Sequence, residues 1–143
     1  MTNEIWDSET LGLLRLPSGR LVRGRGLRNR FPTGKKPEFG VYLQGREPSP
    51  FDWESQWVRW RDFWLPSDRR SFAPTLHELL ERSGSERVEI ACSGGFGRTG
   101  TAMSCLAVLD GIPADKAVDY VRENYSRRAV ETPWQKRFVT RFS

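Results

Sequence analysis

The stretch that most constrains this chain is Val88-Glu89-Ile90-Ala91-Cys92-Ser93-Gly94-Gly95-Phe96-Gly97-Arg98-Thr99-Gly100. Val88, Ile90 and Ala91 form a short apolar run that predicts a buried strand, and Ala102 to Leu109 predicts a helix beyond a glycine-rich turn. Glycines open backbone conformations closed to other residues, so several successive N–H groups of the turn can converge on one anion. A helix starting near Arg98 adds its positive dipole end to that concavity. Arg98 itself can bond two oxygens of a phosphate side by side. Cys92 lies at the base of the turn, where each of these groups stabilises a thiolate. An anion cradle built over a nucleophile points to attack on phosphorus.

Two other phosphate loops share some of these letters. Gly95, Gly97 and Gly100 spell the dinucleotide fingerprint G-x-G-x-x-G, which requires a further strand ending near an acidic residue about 20 positions on. Here Ala114 to Tyr125 is helical in pattern, and too little chain remains for a nucleotide fold. A nucleotide-triphosphate loop would place glycine at Cys92 and lysine at Arg98. Neither substitution is present. A plain structural turn with a buried cysteine explains neither Arg98 nor the upstream residues described below.

Cys-x5-Arg-Thr at a strand-to-helix turn resembles the signature loop of the cysteine-dependent protein-tyrosine phosphatase superfamily. Residues 92–101 follow its Cys-Ser-Ala-Gly-x-Gly-Arg-Thr/Ser-Gly-Thr nearly letter for letter. The resemblance implies Cys92 as nucleophile, and phosphate binding by Ser93, Gly94, Gly95, Phe96, Gly97 and Arg98. It also implies a Thr99 hydroxyl that bonds the sulfur and helps it leave the phosphoenzyme. One departure concerns Ala91, where the family usually has a histidine that helps hold the loop.

Upstream, Trp60-Arg61-Asp62-Phe63-Trp64-Leu65-Pro66 resembles the family's mobile acid loop, Trp-Pro-Asp-x-x-Val-Pro, with arginine in place of the first proline. Asp62 is then the acid that protonates the leaving oxygen, a kind of step that contributes about 10²–10⁴-fold. Asp68 is the alternative acid, though it also suits a helix cap. Downstream, Val130-Glu131-Thr132-Pro133-Trp134-Gln135 resembles the second-step loop Val-Gln-Thr-x-x-Gln, whose first glutamine positions the hydrolytic water. Gln135 matches the second glutamine, and Glu131 stands in for the first. Thr132 and Pro133 also make a good helix start.

At 143 residues, the length predicts a single phosphatase-like domain spanning 1–143, with 1–10 frayed, 11–55 shaping the substrate mouth and 56–139 forming the catalytic core. No apolar run approaches a membrane span. Two cysteines, Cys92 and Cys105, with a nucleophile that must stay reduced, predict a cytoplasmic chain rather than a disulfide scaffold. His77 alone cannot build a multi-histidine metal site. The chemistry calls for neither cofactor nor metal, because Arg98 and the loop supply the positive charge.

The formal charge is +5, with much of the excess early, in Arg20, Arg23, Arg25, Arg28, Arg30, Lys35 and Lys36. That run is a nucleic-acid patch or a solvated face that draws in anionic substrates. No stacking, zinc or helix-turn-helix motif accompanies it, which favours the second reading.

In chain order, Leu11–Leu16 and Leu21–Arg25 predict a hairpin around Pro17-Ser18-Gly19. Phe39–Gln44 and Gln56–Trp60 predict strands. Pro74–Arg82 predicts an amphipathic helix with Pro74 in its first turn, and Ala114–Asn124 predicts another. Arg28-Asn29-Arg30-Phe31 echoes the Lys-Asn-Arg-Tyr loop of larger tyrosine phosphatases, and reads as coincidence without the rest of that loop.

The expected fold is α/β: a central mixed sheet of four to five strands flanked by helices, with Cys92 at the carboxyl end of a middle strand. The resemblance implies two-step phosphomonoester hydrolysis through a phosphocysteine, on phosphotyrosine or with dual specificity, the substrate being a phosphorylated protein. A small phosphorylated metabolite and a phosphate-binding module without turnover are the alternatives, the latter favoured by Ala91 and Glu131.

Overall fold

A computed structural model of the chain describes residues 5–142. Nine elements follow one another: β1 (Leu13–Arg15), β2 (Leu21–Gly26), β3 (Phe39–Gln44), β4 (Glu54–Arg59), α1 (Arg69–Arg82), β5 (Val88–Cys92), α2 (Gly97–Leu109), α3 (Ala117–Asn124) and α4 (Pro133–Thr140). The strands form one mixed sheet in the order β1-β2-β5-β3-β4. Only the β1–β2 hairpin is antiparallel; β2, β5, β3 and β4 run parallel. The nucleophile strand is therefore central, and Cys92 ends it.

All five residues of β5 are buried, so the strand must satisfy two different neighbours. Val88, Ile90 and Cys92 join the apolar core with Phe39, Val41 and Leu43 of β3 and with residues of all four helices. Side chains alternate along a strand, so Glu89 and Ala91 face the other way. There the covering is loop rather than helix, and its centre is ionic. Glu89 Oε1 accepts from Arg23 Nε at 3.0 Å and from Arg25 Nε at 2.7 Å, while Oε2 accepts from Tyr42 Oη at 2.7 Å. Trp53 Nε1 donates to Tyr42 Oη, and Trp6 and Phe31 lie against the Arg23 and Arg25 guanidiniums. A buried carboxylate is tolerable only with partners of this kind.

This packing corrects several expectations. Fraying of residues 1–10 does not extend to Trp6, which is buried with its indole N–H bonded to Val88 O; residues 1–4 lie outside the described residues. The early basic run is not one patch, since Arg23 and Arg25 point into the Glu89 cluster and Lys36 pairs with Asp52. Helix α1 begins five residues before Pro74, capped by Asp68, whose Oδ1 accepts from Arg70 N and Ser71 N. Pro74 thus sits inside the helix, on its exposed side. Strand β4 starts at Glu54 rather than Gln56, and α3 at Ala117 rather than Ala114. Residues 114–116 are turns. The hairpin forms with its first strand cut to Leu13–Arg15, and β3 forms where the pattern predicts it.

No helix is long and apolar enough to cross a membrane among the described residues.

Candidate active site

Beyond Cys92 the chain turns through residues 93–96 into α2, and every carbonyl of the turn is held outward. Leu27 N bonds Cys92 O at 2.8 Å, and Arg28 N bonds Ser93 O at 3.1 Å. Gly94 O packs against Gly26, where even a methyl group would collide. Tyr125 Oη donates to Gly95 O at 2.6 Å. Phe96 O accepts from Gly100 N and Gly97 O from Thr101 Oγ1. In a planar trans peptide the N–H points opposite to its carbonyl, so the N–H groups of residues 93–98 are turned toward the concave side. Gly95, at φ +84°, makes the bend possible.

The sulfur sits inside this ring. Gly95 N lies 3.2 Å and Thr99 Oγ1 3.0 Å from Cys92 Sγ, both placed to donate to it. A cavity of about 290 Å³ opens above, lined by Cys92, Ser93, Gly94, Phe96 and Gly97 from the turn. Asp62 and Phe63 enter from the loop after β4, Arg28 and Asn29 from the loop after β2, and Arg128 and Glu131 from the segment before α4. Arg98 is almost fully buried behind that lining. Its Nη1 donates to Trp60 O at 3.0 Å, and among the described residues its buried Nε has no acceptor in hydrogen-bonding range, Asp62 Oδ1 lying 3.6 Å away.

The structure separates the two candidate acids. Asp62 lines the cavity, with Oδ1 also accepting from Phe63 N at 3.0 Å. Asp68 caps α1 and does not reach the cavity. It also separates Glu131 and Gln135, the two residues matched to the glutamines of the second-step loop. Glu131 lines the cavity, and its carboxylate lies so close to Gly97 that a Cβ there would overlap it. Gln135 is buried and does not line the cavity. Its Oε1 accepts from Glu131 N and Thr132 N in a capping box, and its Nε2 donates to Trp64 O at 3.0 Å. The amide is a brace between α4 and the acid loop, and of the two residues Glu131 is the one that reaches the cavity. Of the 11–55 region, Arg28 and Asn29 alone reach the cavity, while Phe31 packs on Trp53.

Three braces were not read from the sequence. Tyr125 is largely buried, and burial, with the charge of Cys92 adding to it, pushes its phenol above the usual range; it stays a neutral donor to Gly95 O. The absent side chain of Gly24 makes room for that hydroxyl. Arg122 donates from Nε to Ala129 O and from Nη2 to Val130 O, both at 2.9 Å. It thereby holds Val130 at φ +64°, an unusual conformation for a β-branched residue, next to Glu131. Trp134 Nε1 donates to Phe63 O at 2.6 Å across 71 residues, and Phe63 also has φ +64°. Pairs of this separation leave no periodic trace; only the positive-φ strain and the pairing reveal them.

Known proteins resemble this chain in sequence and in fold. The chain is 42% and 43% identical, over 60 residues, to two uncharacterized proteins of Methanocaldococcus jannaschii, and spans 40% and 36% of their length. Over 91 residues it is 34% identical to human tyrosine-protein phosphatase non-receptor type 4, an alignment covering 59% of this chain and 10% of that protein. Among solved structures, Tk-PTP in its active form superposes with a TM-score of 0.59 at 27% identity, covering 71% of this chain and 74% of that one. Kinase associated phosphatase, with its catalytic-site cysteine replaced by serine, shares the fold at a TM-score of 0.73 and 18% identity, over 94% of this chain and 96% of that one. The protein-tyrosine phosphatase family model matches residues 38–139, taking in the acid loop, the nucleophile loop and the start of α4. This chain belongs to the protein-tyrosine phosphatase family.

Proposed function

We propose that the chain hydrolyses phosphomonoesters, foremost phosphotyrosine in proteins, through a phosphocysteine. The observation that carries this reading is the sulfur of Cys92, bonded by Gly95 N–H and Thr99 Oγ1 inside a ring of inward amides, with Asp62 across the same cavity. The thiolate attacks phosphorus, forming S–P as the P–O bond to the leaving group breaks. Inward amides and Arg98 Nε, a buried donor without an acceptor, bind the non-bridging oxygens as charge shifts onto them. Asp62, in its acid form, gives its proton to the leaving oxygen. Water then attacks phosphorus and passes a proton back to Asp62, while S–P breaks and Thr99 Oγ1–H receives the returning thiolate. In this reading Glu131 orients that water, which its position against Gly97 at the cavity wall supports.

An aryl ester is the substrate the cavity suits best. Phe63, half exposed at its rim, offers an apolar face for a substrate ring, and Phe96 in the lining carries the Arg128 guanidinium over its own ring. The test is phosphate release from an aryl phosphate and a phosphotyrosyl peptide by wild type, Cys92→Ser and Asp62→Asn. Turnover abolished in the serine variant and lowered about 10²–10⁴-fold in the asparagine variant supports the mechanism. A reduced, folded protein without turnover on either substrate overturns it.

Glu131 favours a second reading. A carboxylate beside bound phosphate opposes hydrolysis of the phosphoenzyme, so a module that captures phosphoproteins without turning them over is the alternative. Tight phosphopeptide binding by an inactive wild type would select it.

A further inference from the structure

The acid loop has a second side. Asp62 and Phe63 face the catalytic cavity, whereas Leu65 walls two further cavities, of about 500 and 440 Å³, which also share Arg69. The larger carries Arg59 and Arg61. The other has an apolar floor of Phe72, Phe138 and Phe142, with ring centroids 5.7–6.3 Å apart. Arg69, Arg137 and Arg141 stand around that floor.

All five arginines are exposed, and among the described residues none forms an ion pair. Among the described residues no carboxylate lines either cavity. At the far end of α1 the arrangement differs: Arg82 meets Glu54, Glu78 and Glu86, and nearby Arg87 meets Glu38. Uncompensated positive charge is thus gathered around one apolar groove. Trp64 and Trp134, both about half exposed with centroids 6.0 Å apart, connect the groove to the catalytic rim, where Trp134 bonds Phe63 O.

Resting on the phosphatase reading above, we propose that this groove docks an acidic segment of the phosphoprotein substrate. Its carboxylates would meet the five guanidiniums, and an apolar side chain between them would enter the Phe72–Phe138–Phe142 floor. Linking such a segment to the phosphorylated residue raises the effective concentration of that residue at Cys92. The ring geometry favours peptide over nucleic acid. The three phenylalanines meet at 47–74° and close on one another, whereas base stacking needs open, parallel faces.

The experiment compares an aryl phosphate, a phosphotyrosyl peptide bearing a Glu/Asp/Leu tract, and the same peptide with Gln and Asn in that tract. Wild type is set beside the triple variant Arg69→Glu/Arg137→Glu/Arg141→Glu. The acidic peptide should show the lower KM in wild type, an advantage that shrinks with salt. In the triple variant its KM should rise about tenfold, as three small surface terms together predict, while aryl phosphate turnover stays within about twofold. Separately, the unphosphorylated acidic peptide should change the fluorescence of Trp64 and Trp134 in Cys92→Ser protein, and not in that protein carrying the triple variant. Equal KM values for the acidic and neutral peptides, with no fluorescence change, overturn the proposal. So does polyuridylate binding tighter than the peptide and lost in the same variant, which would make the groove a nucleic-acid surface. Fluorescence binding without aryl phosphate turnover upholds the groove and fells the phosphatase reading alone.

Discussion

The nucleophile loop and the acid loop face each other across one cavity, yet they are held by opposite means. The carbonyls of Cys92, Ser93, Gly95, Phe96 and Gly97 are tied by backbone amides, by Tyr125 and by Thr101, and that of Gly94 packs on Gly26. Residues 60–66 are held chiefly by long side chains: Trp134 on Phe63 O, Gln135 and the loop's own Trp60 on Trp64 O, and Arg98 on Trp60 O, with backbone bonds at Trp60 N and Trp64 N. Phe63 and Trp64 are more than half exposed. The first arrangement gives donors that need no reorganisation as charge develops. The second leaves few bonds between the observed position and a displaced one, as expected of a loop that must let substrate in and product out.

That contrast is open to direct attack, and the largest effect is expected on the rigid side. In Tyr125→Phe the ring remains but Gly95 O loses its donor, so the Phe96 N–H opposite is no longer fixed inward. We predict kcat/KM lower by about tenfold, the equivalent of one hydrogen bond, for every substrate whatever its leaving group. An unchanged kcat/KM would show that the loop holds itself.

On the mobile side, Trp134→Phe removes the bond to Phe63 O and keeps an aromatic ring. The loss should be smaller, about three- to fivefold in kcat, and confined to esters with basic leaving groups that need Asp62. A leaving-group series read with both variants separates the loops: a uniform drop for Tyr125→Phe and a graded one for Trp134→Phe. Equal, ungraded losses would erase the distinction.

Chemical labelling sharpens the comparison without mutation. Cys105 is enclosed in α2, and burial pushes its thiol up, well beyond the ordinary cysteine range. Cys92 opens onto the cavity. Iodoacetamide at neutral pH should modify Cys92 and spare Cys105, and peptide mapping of the alkylated protein reads the outcome.

The smallest effect concerns alkaline stability. Burial and the Glu89 charge raise the Tyr42 phenol, and burial raises that of Tyr125. A group raised in the folded state stabilises below its unfolded pKa, and that contribution is lost as pH climbs past it. Stability should therefore fall from about pH 10 upward. Urea midpoints between pH 9 and 10.5 should decline less steeply in Tyr42→Phe than in wild type.

What the sequence made legible was what is local. Strand β3, the hairpin and the cradle around Cys92 follow from alternation, turn residues and glycines within a dozen positions. Helix α1 was placed too late because Pro74 reads as a first-turn residue, while the operative start signal is Asp68, whose side chain caps the helix six residues earlier. Gln135 was read by its position in a loop, but a buried amide goes wherever unpaired groups need it, here Trp64 O and the start of α4. Arg23, Arg25 and Tyr42 could not be matched to Glu89, because only the sheet order brings β2, β5 and β3 side by side.

Glu89 also bears on how the chain avoids misassembly. Faces alternate with every residue of a strand, so a slip of β5 by one position would swing the carboxylate into the helix-covered core and turn Cys92 away from the cradle. The slipped sheet would bury a charge with no counterion, an error costing several kcal/mol. The carboxylate three residues before the nucleophile therefore works as a proofreading mark. It guards against the single-residue slip that would carry the sulfur away from its cavity.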